Sequence, residues 1–283
     1  MTAGGYVALA VAGGLASYLG IAGLFELLYY RRRRGDPAAW KLQPQRWPNR
    51  RARRNEILLG SANMIAASVG SGLFAWYVAS GGASSIYFGG EHGVAFSIAT
   101  TAIYLAATDC ALYWAHRLLH RRWLFRTIHR VHHRWTSPTA FTAYAMHPLE
   151  FAFYQGIMLV PLFFWPIHVA GLIAVLVYQN CIALIDHSGV DIGYSVPGQP
   201  PARFHDDHHV YFHVNYGQTL GVWDRVFGTW RRHGRVYGEH VFGGKGAPVA
   251  AGAAREVRYV DYRRRSDGAG LGEHATQEVD AAP

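Results

Sequence analysis

The length of the apolar blocks is the feature that most constrains how this chain can fold. Residues 5–30, 57–80 and 94–115 each supply about twenty or more residues almost free of charge, which is what one helix needs to cross a ~30 Å hydrocarbon core. A fourth block, 151–187, is interrupted by two prolines and is too long for one crossing, but its length fits a hairpin of two helices. The sequence therefore predicts an all-α integral membrane protein with four to five transmembrane helices.

The positive charge of the chain is concentrated in one loop beside these blocks. The segment 31–55 contains ten Lys and Arg residues, whereas the segment 81–93 contains none. Because cytoplasmic loops are enriched in Lys and Arg, we expect the first loop to be cytoplasmic and the second to be external. The net charge of +9 then follows from topology, and no nucleic-acid partner is expected. The first apolar block lacks a basic n-region, so we expect it to be retained as a membrane helix rather than removed as a signal peptide.

Most of the histidines are predicted to lie at the cytoplasmic end of the helices. With the N-terminus outside, the third block enters the cytoplasm near His116 and the predicted hairpin returns near His187. Of the sixteen histidines, only His92 and His168 fall on the external side, where we expect ordinary loop residues. The predicted fold is therefore a multi-pass membrane bundle with a cytoplasmic helical cap that carries the histidines.

Three short segments, or boxes, space their histidines along one face of a helix. HRLLH (116–120) has i, i+4 spacing, and HRVHH (129–133) and HDDHH (205–209) both have i, i+3, i+4 spacing. Neutral imidazole is a good ligand for iron, copper, zinc and nickel. One tetrahedral zinc uses at most four ligands, so the eight histidines of the boxes indicate two metals, and His187 in IDHSG is placed to face the same space. Nitrogen-rich sites with an open position suit iron that activates dioxygen.

The order of the boxes between membrane blocks resembles the fatty acid hydroxylase/sterol desaturase superfamily of membrane di-iron oxygenases. The stretches HHRWTSPTAFTAYAMHPLE (132–150) and HDDHHVYFHVNYGQTLGVWDRVFGTW (205–230) are similar to sterol desaturases of the lathosterol-oxidase type. The resemblance implies a di-iron centre with catalytic, metal-binding histidines at His116, His120, His129, His132, His133, His187, His205, His208 and His209. His147 matches the HP motif of the family and is expected to be either a further metal ligand or a support for one.

The resemblance also implies a reaction. The enzyme would use O2 and two electrons to hydroxylate or desaturate an unactivated C–H bond of a sterol-like or fatty acyl lipid from the bilayer. The sequence has no nucleotide, haem or flavin motif, so we expect the electrons to come from a ferredoxin or a b-type cytochrome. The alternative is a histidine-rich membrane metal-binding or transport protein without oxygenase activity. Such a transporter would be expected to place its ligands near the bilayer midplane.

The chain is predicted to have three parts. Residues 1–92 contain N-terminal transmembrane helices and the basic cytoplasmic loop, and residues 93–243 contain the fatty acid hydroxylase/sterol desaturase-like domain. Residues 244–283 are rich in Gly, Ala and charge, and are predicted to be a flexible tail. Asp109 is an acid within an apolar run, so we expect it either to orient a histidine or to bond to a neighbouring helix. Asn215 is expected to shape a turn after the last box, because Asn tolerates positive φ.

Overall fold

The computed structural model describes residues 1–192 and 198–232, together with the backbone of the strands Arg235–Val236 and Ala247–Pro248. In the described part of the chain, the α-helices are α1 (Ala3–Phe25), α2 (Arg50–Ala79), α3 (Gly93–Leu119), α4 (Arg122–Thr127), α5 (Pro148–Leu159), α6 (Val169–Asp186), α7 (Ala202–Tyr211) and α8 (Val222–Val226). The predicted tail, 244–283, lies outside the described residues except for Ala247–Pro248, and the domain boundary near residue 93 stays a prediction.

Shorter elements connect these helices. A π-helical segment, Glu26–Arg31, continues α1, and 3₁₀ helices cover Pro37–Ala39, His129–Arg134, Ala140–Tyr144 and Val160–Phe163. The two-residue strands β1 (Ile86–Tyr87) and β2 (Ile167–His168) pair in parallel, and β3 (Arg235–Val236) pairs antiparallel with β4 (Ala247–Pro248). The fold is therefore helical, with strands only as brief links in the described residues.

Four helices are long and apolar enough to cross a membrane within residues 1–192 and 198–232, namely α1 with its π-helical extension, α2, α3 and α6. The all-α membrane fold predicted from the apolar blocks is confirmed. The segment Pro148–Phe163 is apolar but shorter, and it forms the first limb of the predicted hairpin, which returns through α6. At the turn of this hairpin, Ile167 pairs with Ile86 and His168 pairs with Tyr87, which ties the hairpin to the segment before α3.

The backbones of α1 and α2 approach each other closely at Gly72. A Cβ atom added to Gly72 would lie 2.7 Å from the Cα of Val7 on α1. Small residues at such positions allow membrane helices to pack backbone to backbone, where the gain comes from van der Waals contact. A Cβ atom added to Gly70, two residues earlier on α2, would have no neighbouring atom within 4 Å. The contact at Gly72 therefore depends on the absence of a side chain.

We expect Gly72→Ala to destabilise the protein by about 1–3 kcal/mol, because the added methyl group meets the backbone of α1 and forces the two helices apart. The measurement is unfolding by a denaturing detergent in mixed micelles. Gly70→Ala is the matched control, since its methyl group enters open space on the same helix. Equal unfolding midpoints for the two variants would contradict this account of the contact.

The segment between α1 and α2 packs against the cap instead of extending into solvent. Trp40 lies in a small apolar cluster with Val190, and Lys41 forms an isolated antiparallel bridge to the same residue. Gln43 Nε2 donates a hydrogen bond of 2.9 Å to Asp206 Oδ1 within the third box. The Arg-rich loop and the histidine boxes are thus at the same end of the bundle.

Candidate metal centre

The three boxes occupy different elements, and these elements meet at one end of the bundle. His116 lies in the last turn of α3 and His120 is the residue that caps it, the second box forms the 3₁₀ helix His129–Arg134, and the third box lies on α7. His187 caps the C-terminus of α6. All nine predicted histidines are buried, and none is more than 5% exposed. Burial of so many imidazoles in one place requires partners other than water.

The buried histidines form two separate groups, and each group is compact enough to hold one metal ion. In each group the potential ligand atoms lie within 4.8 Å of one another. The first group contains His116, His120, His129, His133 and His208, and the second group contains His132, His187, His205 and His209. This arrangement accounts for all nine histidines and matches the two metals inferred from their number.

The division between the groups follows the spacing within each box. The i, i+4 pairs stay together, so His129 and His133 are both in the first group, and His205 and His209 are both in the second. The i+3 histidine between them enters the other group, as His132 and His208 do. The second and third boxes therefore do not each direct all of their histidines at one point. Each of these boxes contributes ligands to both groups.

The distances within the groups fit shared coordination of a metal. The Nε2 atom of His133 lies 3.0 Å from that of His129 and 3.1 Å from that of His208. In the second group, the Nε2 atom of His187 lies 3.2 Å from that of His132 and 2.9 Å from that of His205. Two nitrogens bound to one ion at about 2.1 Å, with an angle between square and tetrahedral, are about 3.0–3.4 Å apart.

Several nitrogens in the groups have no other partner among the described residues. The buried Nε2 atoms of His116, His120 and His209 accept or donate no hydrogen bond there. A buried polar atom without a partner costs about 1–3 kcal/mol, and a metal ion at the centre of each group removes that cost. The residues present therefore fit two metal ions.

Two of the histidines are oriented by backbone carbonyls of the segment 214–217, which we call the NYG loop. His208 Nδ1–H donates to the carbonyl oxygen of Val214 at 2.6 Å, and His116 Nδ1–H donates to that of Tyr216 at 2.8 Å. With the proton on Nδ1, the lone pair is on Nε2 and faces the group. The NYG loop thus fixes the tautomers of ligands from two different helices.

Three further histidines are oriented in the same way by other acceptors. His187 Nδ1–H donates to Ala183 O at 2.8 Å and His132 Nδ1–H donates to Ala145 O at 3.3 Å. His129 Nδ1 lies 2.6 Å from Glu150 Oε1, a buried carboxyl group on α5. Sequence reasoning missed Glu150, although an acid at the edge of an apolar block was a usable signal.

Burial also keeps the imidazoles in the neutral form that binds metal. It lowers the pKa of His129 and of His187 to about 3 and the pKa of His132 to about 4, because a charged ring loses its hydration inside the protein. The neighbouring His132 lowers the pKa of His187 further, whereas the Glu150 carboxyl group opposes the lowering of the pKa of His132. At neutral pH these rings are uncharged and their lone pairs are available.

The NYG loop is itself held by a buried acid, Asp224. Its carboxylate accepts hydrogen bonds from Tyr216 N at 2.8 Å, Gly217 N at 2.7 Å and Thr229 Oγ1 at 2.5 Å. Asn215 has a φ of 57° and donates from Nδ2 to Phe204 O at 2.9 Å. The expected turn after the last box is therefore present, with Asn in the left-handed conformation that it tolerates.

Asp109 supports the next part of the same segment. It accepts hydrogen bonds from Thr219 N at 3.0 Å, Leu220 N at 3.3 Å and Trp223 Nε1 at 2.8 Å. Of the two roles expected for Asp109, these contacts match the bond to a neighbouring helix, since Trp223 lies on α8 and none of the partners is a histidine. Asp109 fixes the chain that follows the NYG loop onto α3.

The structure does not bring His147 into either group. Its ring caps the N-terminus of α5, where Nδ1 accepts a hydrogen bond of 3.2 Å from Leu149 N. His168 makes the equivalent contact at the start of α6, with Ala170 N at 3.1 Å. The position of His147 therefore favours a helix-capping role over the predicted ligand role.

A cavity of about 220 Å³ lies between α2, α3, α5 and α6, directly beside both groups. His116 and His129 of the first group and His132 and His187 of the second group line it. Much of the remaining wall is apolar, with side chains that include Met64, Leu112, Phe151, Met158 and Leu176. The arrangement can hold an apolar molecule against two metal sites while excluding water.

Comparison with known proteins agrees with this geometry. Residues 101–229 match the fatty acid hydroxylase family, and the match contains all nine histidines. A Delta(7)-sterol 5(6)-desaturase of Leptosphaeria maculans is 35% identical over 131 residues, which is 46% of this chain and 36% of that protein. The corresponding enzyme of Saccharomyces cerevisiae is 33% identical over 144 residues, which is 50% of this chain and 39% of that protein.

A human protein, lathosterol oxidase, is 34% identical over 135 residues, which is 45% of this chain and 44% of that protein. This chain therefore spans less than half of the length of the curated relatives that it matches. No solved structure matches it. Over residues 101–229 the resemblance found in the sequence is confirmed, since this part of the chain matches the fatty acid hydroxylase family.

Proposed function

We propose that this chain is a membrane-bound oxidoreductase that uses O2 and two electrons to hydroxylate or desaturate a C–H bond of a lipid. The observation that carries this proposal is that two groups of buried histidines face one cavity between membrane helices. The names of its relatives, sterol desaturases and an oxidase, support the same class of reaction.

Two iron ions are the proposed cofactors, one in each histidine group. When bound, they supply the activation of O2 and the oxidising power that no protein side chain provides. The chain supplies the geometry: hydrogen bonds on Nδ1 hold His116, His129 and His132 with Nε2 toward the groups. The apolar wall of the cavity keeps water from the reacting C–H bond and holds that bond beside both groups.

The proposed substrate is a sterol-like or fatty acyl lipid that enters from the bilayer. Leu176 on α6 lines the cavity and is 45% exposed. This partly exposed side chain on a membrane helix supports entry of the lipid past α6. At about 220 Å³ the cavity is smaller than the ~300–1,000 Å³ of pockets that enclose whole ligands, so it takes in one part of a larger lipid.

An external protein is the proposed source of the electrons, either a ferredoxin or a b-type cytochrome. The exposed surface beside the second box is basic, with Arg121, Arg122, Arg126, Arg130 and Arg134. Arg130 and Arg134 lie on the same 3₁₀ helix as three of the ligands. An acidic donor that docks here is favoured by charge complementarity and approaches the histidine groups closely.

We propose that the histidine groups lie on the cytoplasmic side. The Arg-rich loop, which the positive-inside rule assigns to the cytoplasm, packs on the third box through the contact between Gln43 and Asp206. The transport alternative finds less support, because both groups lie together at one end of the bundle and not along a path through it.

The function is tested by expressing the protein in membranes with iron and a competent reductase, followed by untargeted lipid mass spectrometry. Lipids that gain one oxygen atom indicate hydroxylation, and lipids that lose two hydrogens indicate desaturation. The same membranes kept without oxygen are the control. If the lipids remain unchanged while vesicles accumulate divalent metal in a protein-dependent way, the transport alternative replaces this proposal.

A further inference from the structure

Side chains from the N-terminal part of the chain hold the backbone of segment 136–146, which connects the second box to α5. Gln43 Nε2 donates to the carbonyl oxygen of Thr136 at 2.8 Å, and Tyr18 Oη donates to that of Phe141 at 2.9 Å. Both donors precede residue 101, where the match to the fatty acid hydroxylase family begins. We call residues 136–146 the bridging segment, and its position depends on helices that lie outside that match.

Asn63 makes two contacts of this kind from α2. Its Nδ2 atom lies 2.9 Å from the carbonyl oxygen of Tyr144 and 2.9 Å from that of Met146. A side-chain amide NH2 has two hydrogens, so each carbonyl accepts its own hydrogen bond. Asn63 is only 3% exposed and lies within the apolar block 57–80, where a polar group needs partners inside the protein. Asn63 therefore binds the bridging segment on both sides of Ala145.

Ala145, between these two carbonyls, is the central residue of an inverse γ-turn. Its φ of −82° and ψ of 77° match that turn, in which the N–H of the following residue bonds to the carbonyl of the preceding one. Met146 N donates to Tyr144 O at 3.0 Å, as the turn requires. The Tyr144 oxygen has two lone pairs and accepts from Met146 N and from Asn63 Nδ2 together. Asn63 thus fixes both ends of the turn.

The turn directs the carbonyl of Ala145 at a ligand of the second group. This oxygen accepts the Nδ1–H of His132 at 3.3 Å, which is the longest of the five Nδ1 contacts that orient ligand histidines. Because peptide groups are planar, holding the carbonyls on both sides leaves the peptide of Ala145 little freedom to turn. A rotation of that peptide would take the acceptor away from His132 and release its ring.

We infer that Asn63 is a positioning residue for the second metal site, because it holds the turn at Ala145 that directs His132 Nε2 toward that group. This inference rests on the proposed function in one respect, the placing of an iron ion in the second group. It gives α2 a role in the metal site although α2 lies outside the family match. The carbonyls that orient His116 and His208 of the first group belong to the NYG loop, so loss of Asn63 should affect one site and not both.

The test is the retention of ferrous iron by the purified, iron-loaded protein in detergent, measured by titration with the chelator ferrozine without oxygen. Asn63→Leu replaces the NH2 group with a methyl group in a side chain of similar size. About half of the bound iron is expected to leave at a ferrozine concentration about 10–100-fold lower than in wild-type protein, as for the loss of a group that orients a ligand. The other half, held by the first group, should keep the wild-type midpoint.

Combination with His132→Ala identifies the iron that is affected. If Asn63 acts through His132, the double variant Asn63→Leu/His132→Ala should retain as much iron as His132→Ala alone, with the same ferrozine midpoint. If the two side chains act independently, their effects add, and the double variant should release its iron at a lower ferrozine concentration than either single variant. This second outcome would overturn the inference.

Tyr18→Phe is the matched control variant, since it removes one buried hydrogen bond to the bridging segment at Phe141, four residues before Ala145. It should lower the unfolding temperature but leave the ferrozine midpoints unchanged, so it separates loss of stability from loss of ligand orientation. Early release of half of the iron from Tyr18→Phe, as from Asn63→Leu, would overturn the inference, because any weakening of the bridging segment would then have the same effect.

Two further results would overturn the inference. One is a wild-type midpoint for all of the iron in Asn63→Leu. The other is equal loss of both irons in Asn63→Leu and in Asn63→Ala, which removes the same NH2 group without adding bulk, since this pattern indicates a purely structural role. Iron retention is measured without turnover, so all these results are independent of the lipid oxidation assay. A wild-type protein that binds no iron would overturn this inference and the proposed cofactor together.

Discussion

Replacement of His132 by alanine is expected to lower the iron-to-protein ratio by half or more and to abolish lipid oxidation. His132 is one of four histidines in the second group, and its Nε2 lies 3.2 Å from that of His187. Its loss leaves three ligands and an apolar gap at a buried position. Loss of a residue that merely supports a ligand costs about 10–100-fold in metal affinity or activity, so loss of a ligand should cost more than that.

Iron content is measured by mass spectrometry of the purified protein, and membrane insertion is checked by resistance to alkaline extraction. His147→Ala is the control, because His147 is a nearby histidine that caps α5 and belongs to neither group. It should keep its iron. An unchanged iron-to-protein ratio and unchanged lipid oxidation in the His132 variant would contradict the assignment of the second group. Equal losses in the His132 and His147 variants would also contradict it.

Replacement of Asp224 by alanine is expected to destabilise the cap by about 2–6 kcal/mol, because two buried N–H groups lose their acceptor and each costs about 1–3 kcal/mol. These are the amides of Tyr216 and Gly217 in the NYG loop. The same loop offers the carbonyls that orient His116 and His208. We therefore also expect the metal affinity of the first group to fall by about 10–100-fold.

Two measurements separate these effects: thermal unfolding reports stability, and competition with a chelator reports metal affinity. Asp224→Asn should lie between wild type and Asp224→Ala, because an amide retains one acceptor oxygen but turns its NH2 toward a backbone donor. Asp36→Ala is the control, as Asp36 is an exposed acid in the loop between α1 and α2, where substitutions usually change stability by less than about 0.5 kcal/mol. A chelator midpoint unchanged in Asp224→Ala would show that the NYG loop does not set ligand geometry.

The membrane helices could be predicted from the sequence because the apolar blocks are long and nearly free of charge. The residues at which these helices begin and end could not be predicted in this way, because helix ends depend on backbone hydrogen bonds that hydropathy does not describe. The second block begins at residue 57, but α2 begins at Arg50, where the side chain of Asn49 accepts a hydrogen bond from Ala52 N. Box one likewise continues α3 past its apolar stretch to Leu119.

The candidate ligands could be named in advance because box spacing and family resemblance agree on the same histidines. The division of these histidines into two groups could not be predicted, because it depends on how α7 packs against the 3₁₀ helix His129–Arg134. The spacing of residues within one segment does not determine how two segments pack. Asp224 and Glu150 were missed for a related reason. An isolated acid is most often a solvated surface residue, and only the folded chain reveals that these two are buried.

Because the i+3 histidine of the second and of the third box lies in the other group, each of these boxes supplies ligands to both metal sites. An insertion or deletion of one residue would turn the remaining imidazoles by about 100° on the α-helix that carries HDDHH, or by about 120° on the 3₁₀ helix that carries HRVHH. Either change would misdirect ligands of both ions at once. A shift within the second or third box therefore cannot alter one metal site while leaving the other unchanged.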